Sequence, residues 1–308
     1  MYIIDFFKRM TRKANIPVLI YLVLNVFVIT AAVSILFYDY NDSLLFAFLV
    51  SIVLYVFSLT IALSPIGEWM LRYQNGCKEI KRQEIKDYIM PIFNVVYEQA
   101  READPSIPTD VKLFMNDDSA PNAFATGRRT VCITQGLIEL SPAMIKGTLG
   151  HEFGHLAHKD TDLILVVTVG NMIVNAIIVG IRLFIDLIHI FMTIFSMFLG
   201  GTEGVIASIV NSLYHLMITA IVALLIKLWT MLGTALVMKS ARANEYEADE
   251  FSFRLGYGNA LCALLDIIGD SKAEGLFAAL AASHPAKDDR IARLQELGAT
   301  YRMNYGTR

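Results

Sequence analysis

The stretch GTLGHEFGHLAHKD at residues 147–160 places His151, Glu152 and His155 in the arrangement H-E-x-x-H. Positions i and i+4 of an α-helix lie on one face, about one turn apart. Two imidazoles at that spacing can bind one Zn²⁺, and the glutamate beside the first can reach a water molecule at the metal. The motif therefore predicts a helix that supplies two zinc ligands, His151 and His155, and a general base, Glu152. The alternative is a polar helix face that carries two histidines by chance.

A second segment, NEYEAD at residues 244–249, offers the ligand that the two histidines lack. A hydrolytic zinc site has three protein ligands and keeps one position open. Glu245 and Asp249 share a helix face, so Glu245 is the predicted third ligand and Asp249 the predicted acceptor of a histidine ring N–H. Glu247 points about 200° away from Glu245 and is the weaker candidate. A solvated acidic helix face is the alternative for this segment.

The composition indicates a membrane protein. Of 308 residues, 55% are apolar and only 18% are charged, which is less charge than a soluble protein of this length carries. The net charge of −3 gives no sign of a nucleic-acid surface, and no nucleic-acid partner is expected. The three cysteines are scattered and contain no C-x-x-C pair, so they predict neither a disulfide framework nor a cysteine zinc site.

Two uncharged runs near the N-terminus, 17–38 and 44–66, are each long enough to cross a ~30 Å hydrocarbon core. Basic residues precede the first run and follow the second, whereas the short connection between the runs has none. The positive-inside rule therefore places residues 1–16 and the chain after residue 66 in the cytoplasm. Residues 17–66 are predicted to form a first transmembrane hairpin.

Residues 161–238 form a second apolar region, interrupted by GGTEG at 200–204. A hydropathy window alone would allow three crossings here. Arg182 and Asp186 argue against a middle crossing, because charges in hydrocarbon are costly. We therefore expect residues 183–200 to be an amphipathic or interfacial piece.

The metal ligands give an independent constraint on this region. His151 and Glu245 can share a metal only if they lie on the same side of the membrane. The chain between them must then cross the membrane an even number of times, which excludes three crossings and fits two. Residues 161–238 are accordingly predicted to form a second transmembrane hairpin.

The remaining segments, 67–160 and 239–308, are predicted to be the two cytosolic parts of the catalytic domain. In the first part, Ser141 and Pro142 form a favourable helix start ahead of the H-E-x-x-H segment. The other predicted elements are helices at 78–103, 238–255, 260–281 and 285–298, strands at 111–115 and 130–134, and a loop at 116–129. The predicted fold is mainly α: four transmembrane helices with a cytosolic α+β domain that contains a small β-sheet and whose ligand motifs resemble those of gluzincin-type metalloproteases.

Taken together, these features resemble the HtpX-like membrane zinc metalloproteases, relatives of the CAAX prenyl endopeptidases. The resemblance rests on two N-terminal spans, NAFATG at 122–127, HEFGH at 151–155, a membrane hairpin, EYEAD at 245–249 and HPAKDDRIARL at 284–294. It implies an endopeptidase with one Zn²⁺ per chain in the inner cell membrane, with its N-terminus and catalytic domain in the cytoplasm. The expected substrates are membrane proteins or peptides cut at the cytosolic side of the lipid bilayer, in membrane-protein quality control.

The resemblance also assigns roles to residues outside the two ligand motifs. It implies that Arg290 braces the acidic ligand region and that His284 donates to the transition state. It further implies that the substrate backbone is held by Asn122, Ala123, Phe124 and Ala125. From the residues alone, His284 is only a histidine at a helix start, Arg290 a structural ion-pair partner and Asn122 a loop residue.

Three alternatives to this interpretation differ in function class. A CAAX-type prenyl-protein endopeptidase shares the chemistry, but four spans in a short chain fit the HtpX-like group better. An inactive zinc-binding membrane scaffold would keep the metal without cleaving protein. A zinc transporter would carry its motif inside a membrane helix, and Lys146, Lys159 and Asp160 make the flanks of His151 too polar for that.

Overall fold

The computed structural model describes residues 6, 15–36, 43–268 and 287–302. This part of the chain is mainly helical, with one small sheet, as predicted. Its helices are α1 (Ile16–Leu36), α2 (Ser43–Ala62), α3 (Pro65–Gln74), α4 (Gln83–Ala103), α5 (Gln135–Ile138), α6 (Pro142–His158), α7 (Thr161–Leu199), α8 (Gly201–Arg254), α9 (Gly258–Ile268) and α10 (Lys287–Glu296). Its strands are β1 (Lys112–Asn116), β2 (Ala123–Thr126) and β3 (Thr130–Thr134).

The chain divides into two compact units. The first comprises residues 1–22, 59–170 and 236–308, and the second comprises 23–58 and 171–235. All three strands and both predicted ligand motifs belong to the first unit. The second unit consists, in its described residues, of parts of the four longest apolar helices, α1, α2, α7 and α8.

Buried polar side chains join three helices of the second unit. Asn25 of α1 donates from Nδ2 to the hydroxyl of Tyr55 on α2 (3.0 Å). The indole Nε1 of Trp229 on α8 donates to Asn25 Oδ1 (3.1 Å). Such interhelical hydrogen bonds satisfy polar groups among apolar neighbours and fix which helix faces meet.

Two described helices are long and apolar enough to cross a membrane, Leu44–Ala62 and Gly201–Gly233. The other two predicted spans, at 17–38 and in the first half of the hairpin at 161–238, include residues whose structure or side chains lie outside the described set. The total of four spans therefore stays a prediction.

Residues 183–199 are not a separate interfacial piece, because α7 runs through them as one helix to Leu199. Large apolar side chains are exposed around this half of α7, among them Phe184 (54%), Phe191 (68%) and Phe198 (83%). The polar side chains share one face, so this half is amphipathic as predicted, but His189 and Thr193 direct that face at α8 and not at water as in an interfacial helix. The carboxylate of Asp186 lies 2.6 Å from His215 Nε2 of α8, which gives this charged group a partner inside the unit.

The sheet of the first unit has the strand order β1-β3-β2, with β1 parallel and β2 antiparallel to β3. The predicted loop at 116–129 was wrong over residues 123–126, which form β2. Proline, asparagine and glycine dominate the flanks of AFAT and hide its alternation of buried positions. Gly127, at a φ of 60°, supplies the tight turn into β3.

The H-E-x-x-H helix is α6, and it packs against α4 and the sheet. Ser141 caps α6 by accepting from the Met144 N–H (3.4 Å), with Pro142 at the first helical position, as predicted. Phe153 of α6 stacks with Tyr97 of α4 at a centroid distance of 5.4 Å. The apolar side of α6 is thereby fixed in the core.

The helices after the second apolar region differ from prediction in their bounds. The predicted helix at 238–255 is the end of α8, which is continuous from Gly201. Only the first part of the predicted helix at 260–281 lies in the described chain, as α9. The last helix, α10, is described from Lys287 to Glu296, and its predicted start at Pro285 lies outside the described residues and stays a prediction.

Three glycines bring α6 into backbone contact with its neighbours. A Cβ added at Gly154 would lie 2.8 Å from Ala248 Cα of α8, and one at Gly150 would lie 2.9 Å from Ser252 Oγ. At Gly147 it would lie 2.8 Å from the backbone nitrogen of Leu261 on α9. This face of α6 therefore has no room for a side chain.

We predict that Gly154→Ala lowers stability by about 1–3 kcal/mol, because the added methyl group must push α6 and α8 apart. The melting temperature of the detergent-solubilised protein measures this. Gly180→Ala is the control, since no atom lies within 4 Å of its added Cβ. In a helix interior this control is expected to be neutral or to stabilise by up to about 1 kcal/mol. Equal melting temperatures for the two variants would contradict the close approach.

Candidate metal centre

Three side chains from two helices converge beside the sheet. His151 and His155 project from one face of α6, and their Nε2 atoms are 3.2 Å apart. Glu245 of α8 places Oε2 at 3.5 Å from His151 Nε2 and Oε1 at 3.4 Å from His155 Nε2. These three residues form a group that can hold a metal ion, as the two sequence motifs predicted.

The spacing of the three donor atoms fits zinc. Ligand atoms about 2.0–2.1 Å from a tetrahedral ion lie about 3.3 Å from one another. The two Nε2 atoms are 3.2 Å apart, and each lies 3.4–3.5 Å from a different oxygen of Glu245, which is close to that edge length. Two imidazoles and one carboxylate also match the donor set of catalytic zinc sites that leave a fourth position open.

Hydrogen-bond chemistry leads to the same conclusion. The Nδ1 atom of His151 lies 2.9 Å from Asp249 Oδ1, and that of His155 lies 3.4 Å from Asp160 Oδ2. Because carboxylates accept, both Nδ1 atoms donate, and the lone pair of each neutral ring faces inward at Nε2. Three acceptors then point at one another, an arrangement that a cation stabilises.

The surroundings of the histidines are acidic. Burial opposes protonation of His151, but the carboxylates of Asp249 and Glu245 outweigh it and raise the pKa of the imidazole. The local potential therefore favours positive charge at the position between the rings.

Arg290 of α10 lies behind the acidic ligands. Its Nε and Nη2 donate to the two oxygens of Asp249 (2.7 and 2.6 Å), and Nη1 lies 3.4 Å from Glu245 Oε2. Burial disfavours the charged form of Asp249, yet the guanidinium more than offsets this and holds the pKa of the carboxyl below its usual value. Arg290 thus keeps Asp249 ionised and fixes its orientation.

Glu152 lies between the metal-binding group and the sheet. It is buried, and its Oε2 accepts the backbone N–H of Ala125 in β2 at 2.6 Å. Because this N–H points away from β3, the Ala125–Val131 pair is a non-hydrogen-bonded pair of the antiparallel ladder. Alternation then directs the backbone groups of Ala123 and Ala125 outward at the open edge of β2.

The other two residues implied to hold substrate face the sheet with their backbones. The Asn122 carbonyl accepts the Thr134 N–H (2.9 Å), and the Asn122 N–H donates to Thr134 Oγ1 (2.8 Å). The backbone of Phe124 pairs with Cys132 by the same alternation. Of the four residues, only Ala123 and Ala125 direct backbone groups to the side of β2 that pairs with no other described strand, and there the Ala125 N–H binds Glu152.

Two further sequence predictions have different outcomes. Glu247 is exposed and lies outside the metal-binding group, as the helix geometry predicted. His284 lies outside the described residues, so its role stays a prediction.

Asp160, the partner of His155, was missed by the sequence reasoning. A carboxylate just past the end of the H-E-x-x-H helix is the signal that could have identified it. Lys159 in the left-handed conformation (φ 57°) bends the chain so that Asp160 faces back toward His155.

We predict that Glu245→Gln lowers zinc affinity by more than about 100-fold, because it removes a charged ligand. Asp249→Asn should lower it by about 10–100-fold, the usual cost of losing a histidine's hydrogen-bond partner. Zinc content after dialysis against graded chelator measures both. Glu247→Gln is the matched control and should bind zinc like the unaltered protein; equal losses from Glu245 and Glu247 would refute the assignment.

Comparison with known proteins agrees with this centre. The family model of peptidase family M48 matches residues 92–298, which include α6, the end of α8 and α10. A protease HtpX homolog of Burkholderia thailandensis is 28% identical, over 72% of this chain and 79% of the relative. Homologs of the same name from Burkholderia mallei and Burkholderia pseudomallei are 27% identical over the same shares.

These relatives are proteases by name, and M48 peptidases bind zinc through the type of His-His-Glu group found here. The family match covers more than half of the chain and contains all three ligands. The chain therefore belongs to peptidase family M48, as a zinc metallopeptidase and membrane protein similar to the HtpX homologs.

Proposed function

We propose that this protein is a membrane-embedded zinc endopeptidase that cleaves membrane proteins or peptides at the cytosolic face, in membrane-protein quality control. One observation carries the proposal: Glu152 lies beside the metal-binding group and also accepts a hydrogen bond from the open-edged strand β2. A proton acceptor is thus held between the position of a metal and the position of an extended chain.

Glu152 is the proposed general base. When bound, zinc supplies a Lewis acid that polarises a carbonyl group and acidifies water. Glu152 takes the proton of the attacking water and passes it to the leaving amine. The Ala125 N–H holds one carboxylate oxygen of Glu152, which leaves the other to receive the proton.

Asp249, Asp160 and Arg290 are proposed to orient the ligands. The two aspartates hold the Nδ1–H groups of the histidines, which keeps each Nε2 lone pair directed at the metal position. Arg290 holds Asp249 by two parallel hydrogen bonds. His284 keeps its proposed role as a donor to the transition state.

The substrate is proposed to bind as an extra strand along β2. An extended peptide can pair with the outward backbone groups of Ala123 and with the outward carbonyl of Ala125, whose N–H is donated to Glu152, without any particular side chain. Asn122 contributes through its exposed side chain and Phe124 through its half-buried ring. This mode of binding suits a protease that must accept many sequences.

The proposed location is the inner membrane, with the site at its cytosolic surface. The basic flanks of the first two apolar runs support this orientation. The start of α7 follows directly on α6, and Leu165 packs with Ala62 at the end of α2. A site this close to apolar helix ends favours substrates that are themselves held at the bilayer.

We predict that Glu152→Gln retains zinc but lowers cleavage of labelled casein by about 10²–10⁴-fold, because the amide cannot accept the proton. Zinc content and chelator-sensitive cleavage are measured on the same preparation, with Glu139→Gln as the control. Full activity in Glu152→Gln would refute the mechanism. Zinc without cleavage in the unaltered protein would favour the scaffold, and cleavage of a prenylated CAAX peptide but not casein would favour the prenyl-protein reading.

The orientation is tested by labelling single introduced cysteines with a membrane-impermeant maleimide. Because the site is proposed to face the cytosol, Lys81→Cys should label in inverted vesicles but not from outside intact cells. Glu203→Cys, at the start of α8, should show the opposite pattern. The unaltered protein gives the background from Cys77, Cys132 and Cys262. Labelling of both positions from one side would exclude the proposed hairpin.

A further inference from the structure

A buried ion pair joins the β2–β3 turn to the start of α7. The Arg128 guanidinium binds the Asp162 carboxylate in a bidentate manner, with Nε–Oδ1 at 3.0 Å and Nη2–Oδ2 at 2.6 Å. The two side chains are 11% and 1% exposed. A buried pair adds little net stability over apolar residues of the same volume, because both charges lose their hydration. The structural question is therefore which segments the pair holds together, since its contribution to stability is small.

Arg128 lies in the turn between β2 and β3. Its backbone N–H donates to Glu68 Oε1 of α3 (2.7 Å), so both its backbone and its side chain are anchored. Gly127, the preceding residue, leaves no space for a side chain, since an added Cβ would lie 2.2 Å from Glu68 Cγ. The end of β2 is thereby fixed at a point just past Ala125.

Asp162 lies in the first turn of α7, directly after the bend that ends α6. The same short connection carries Asp160, whose carboxylate faces the metal ligand His155 (3.4 Å to Nδ1). The connection between α6 and α7 thus makes two contacts. Asp160 contacts the ligand His155, and Asp162 contacts Arg128 in the β2–β3 turn.

We propose that Arg128 and Asp162 are positioning residues that set the substrate-binding edge of β2 relative to the metal-ligand helix α6. The pair acts through the backbone of β2, whose Ala125 N–H holds Glu152 and whose outward groups pair with substrate. This inference rests on the proposed function, because it takes β2 to be the substrate-binding edge.

The test uses Arg128→Met together with Asp162→Leu, which replaces the buried pair by apolar side chains of similar size and avoids an unpaired buried charge. The matched control is Arg129→Met with Asp110→Leu. That neighbouring pair (3.2 Å) is about half exposed, at 47% and 51%, and joins the same turn to the chain just before β1.

The first readout is steady-state cleavage of labelled casein by the zinc-loaded, detergent-solubilised full chain. We expect KM to rise about tenfold in the Arg128/Asp162 double variant, with kcat within about threefold and unchanged zinc content. Loss of one or two backbone hydrogen bonds to substrate accounts for an effect of that size. The Arg129/Asp110 control should keep the KM of the unaltered protein.

The second readout does not depend on activity. Amide hydrogen exchange in the segment that contains β2 and its turn should be faster in the Arg128/Asp162 variant, with or without zinc, and unchanged in the control. Arg128→Lys, which keeps the charge but loses the bidentate contact, should give an intermediate KM and an intermediate exchange rate.

The outcomes separate this inference from the proposed function. If the unaltered protein shows no chelator-sensitive cleavage, the proposed function fails, whereas the exchange data still test whether the pair fixes β2. If the unaltered protein cleaves casein but the Arg128/Asp162 variant keeps its KM and exchange rates, the positioning role is overturned. A fall in zinc content and kcat at constant KM would overturn it too, since the pair would then be a brace of the whole fold.

Discussion

The backbone contact between α6 and the end of α8 is the constraint on which the metal centre depends. His151 and His155 lie on one of these helices and Glu245 on the other, so the ligand geometry is set by how closely the two approach. Gly154 meets the backbone of Ala248, and Gly150 meets Ser252. A side chain at Gly154 would force the two helices apart and so disturb the distances between the ligands.

A buried network of charges orients the ligands that this contact brings together. Three acidic side chains, Glu245, Asp249 and Asp160, face the two histidines. Arg290 supplies one positive charge to this group, and a metal cation between the ligands would balance the remaining negative charge. The same groups fix the ring tautomers, so the electrostatic and geometric requirements of the centre are met by one set of residues.

The sheet supplies the edge strand to which we propose that the substrate binds. β3 pairs with β1 along one edge and with β2 along the other, whereas β2 is an edge strand of the described sheet with outward backbone groups. Glu152 contacts that edge from α6, so the proposed base and the proposed substrate-binding strand are in direct contact beside the metal ligand His151. This arrangement was not predicted from the sequence, which suggested a loop at 116–129. Residues 123–126 are too few to show a strand pattern among so many turn residues.

Three properties of the site could be predicted from the sequence: the donor set, the helical spacing of His151, Glu152 and His155, and the face shared by Glu245 and Asp249. These follow from the helical repeat, which is a local property of the chain. It also indicated the apolar character of the long helices, although α7 proved continuous through residues 183–199. The charges of Arg182 and Asp186 suggested a break there. The pattern of neighbouring residues cannot show that Asp186 pairs with His215, 29 residues further along the chain.

The contacts between residues distant in sequence could be identified only once the fold was known. The contact of Asp160 with His155 depends on a left-handed residue at Lys159, a position where glycine would have been the expected signal. The outward direction of Ala123 and Ala125 depends on the register of β2 against β3. The Arg128–Asp162 pair joins residues from a turn and a helix start that nothing in the sequence connects. Each of these is a long-range contact, fixed by packing and strand register and not by the spacing of residues along one element.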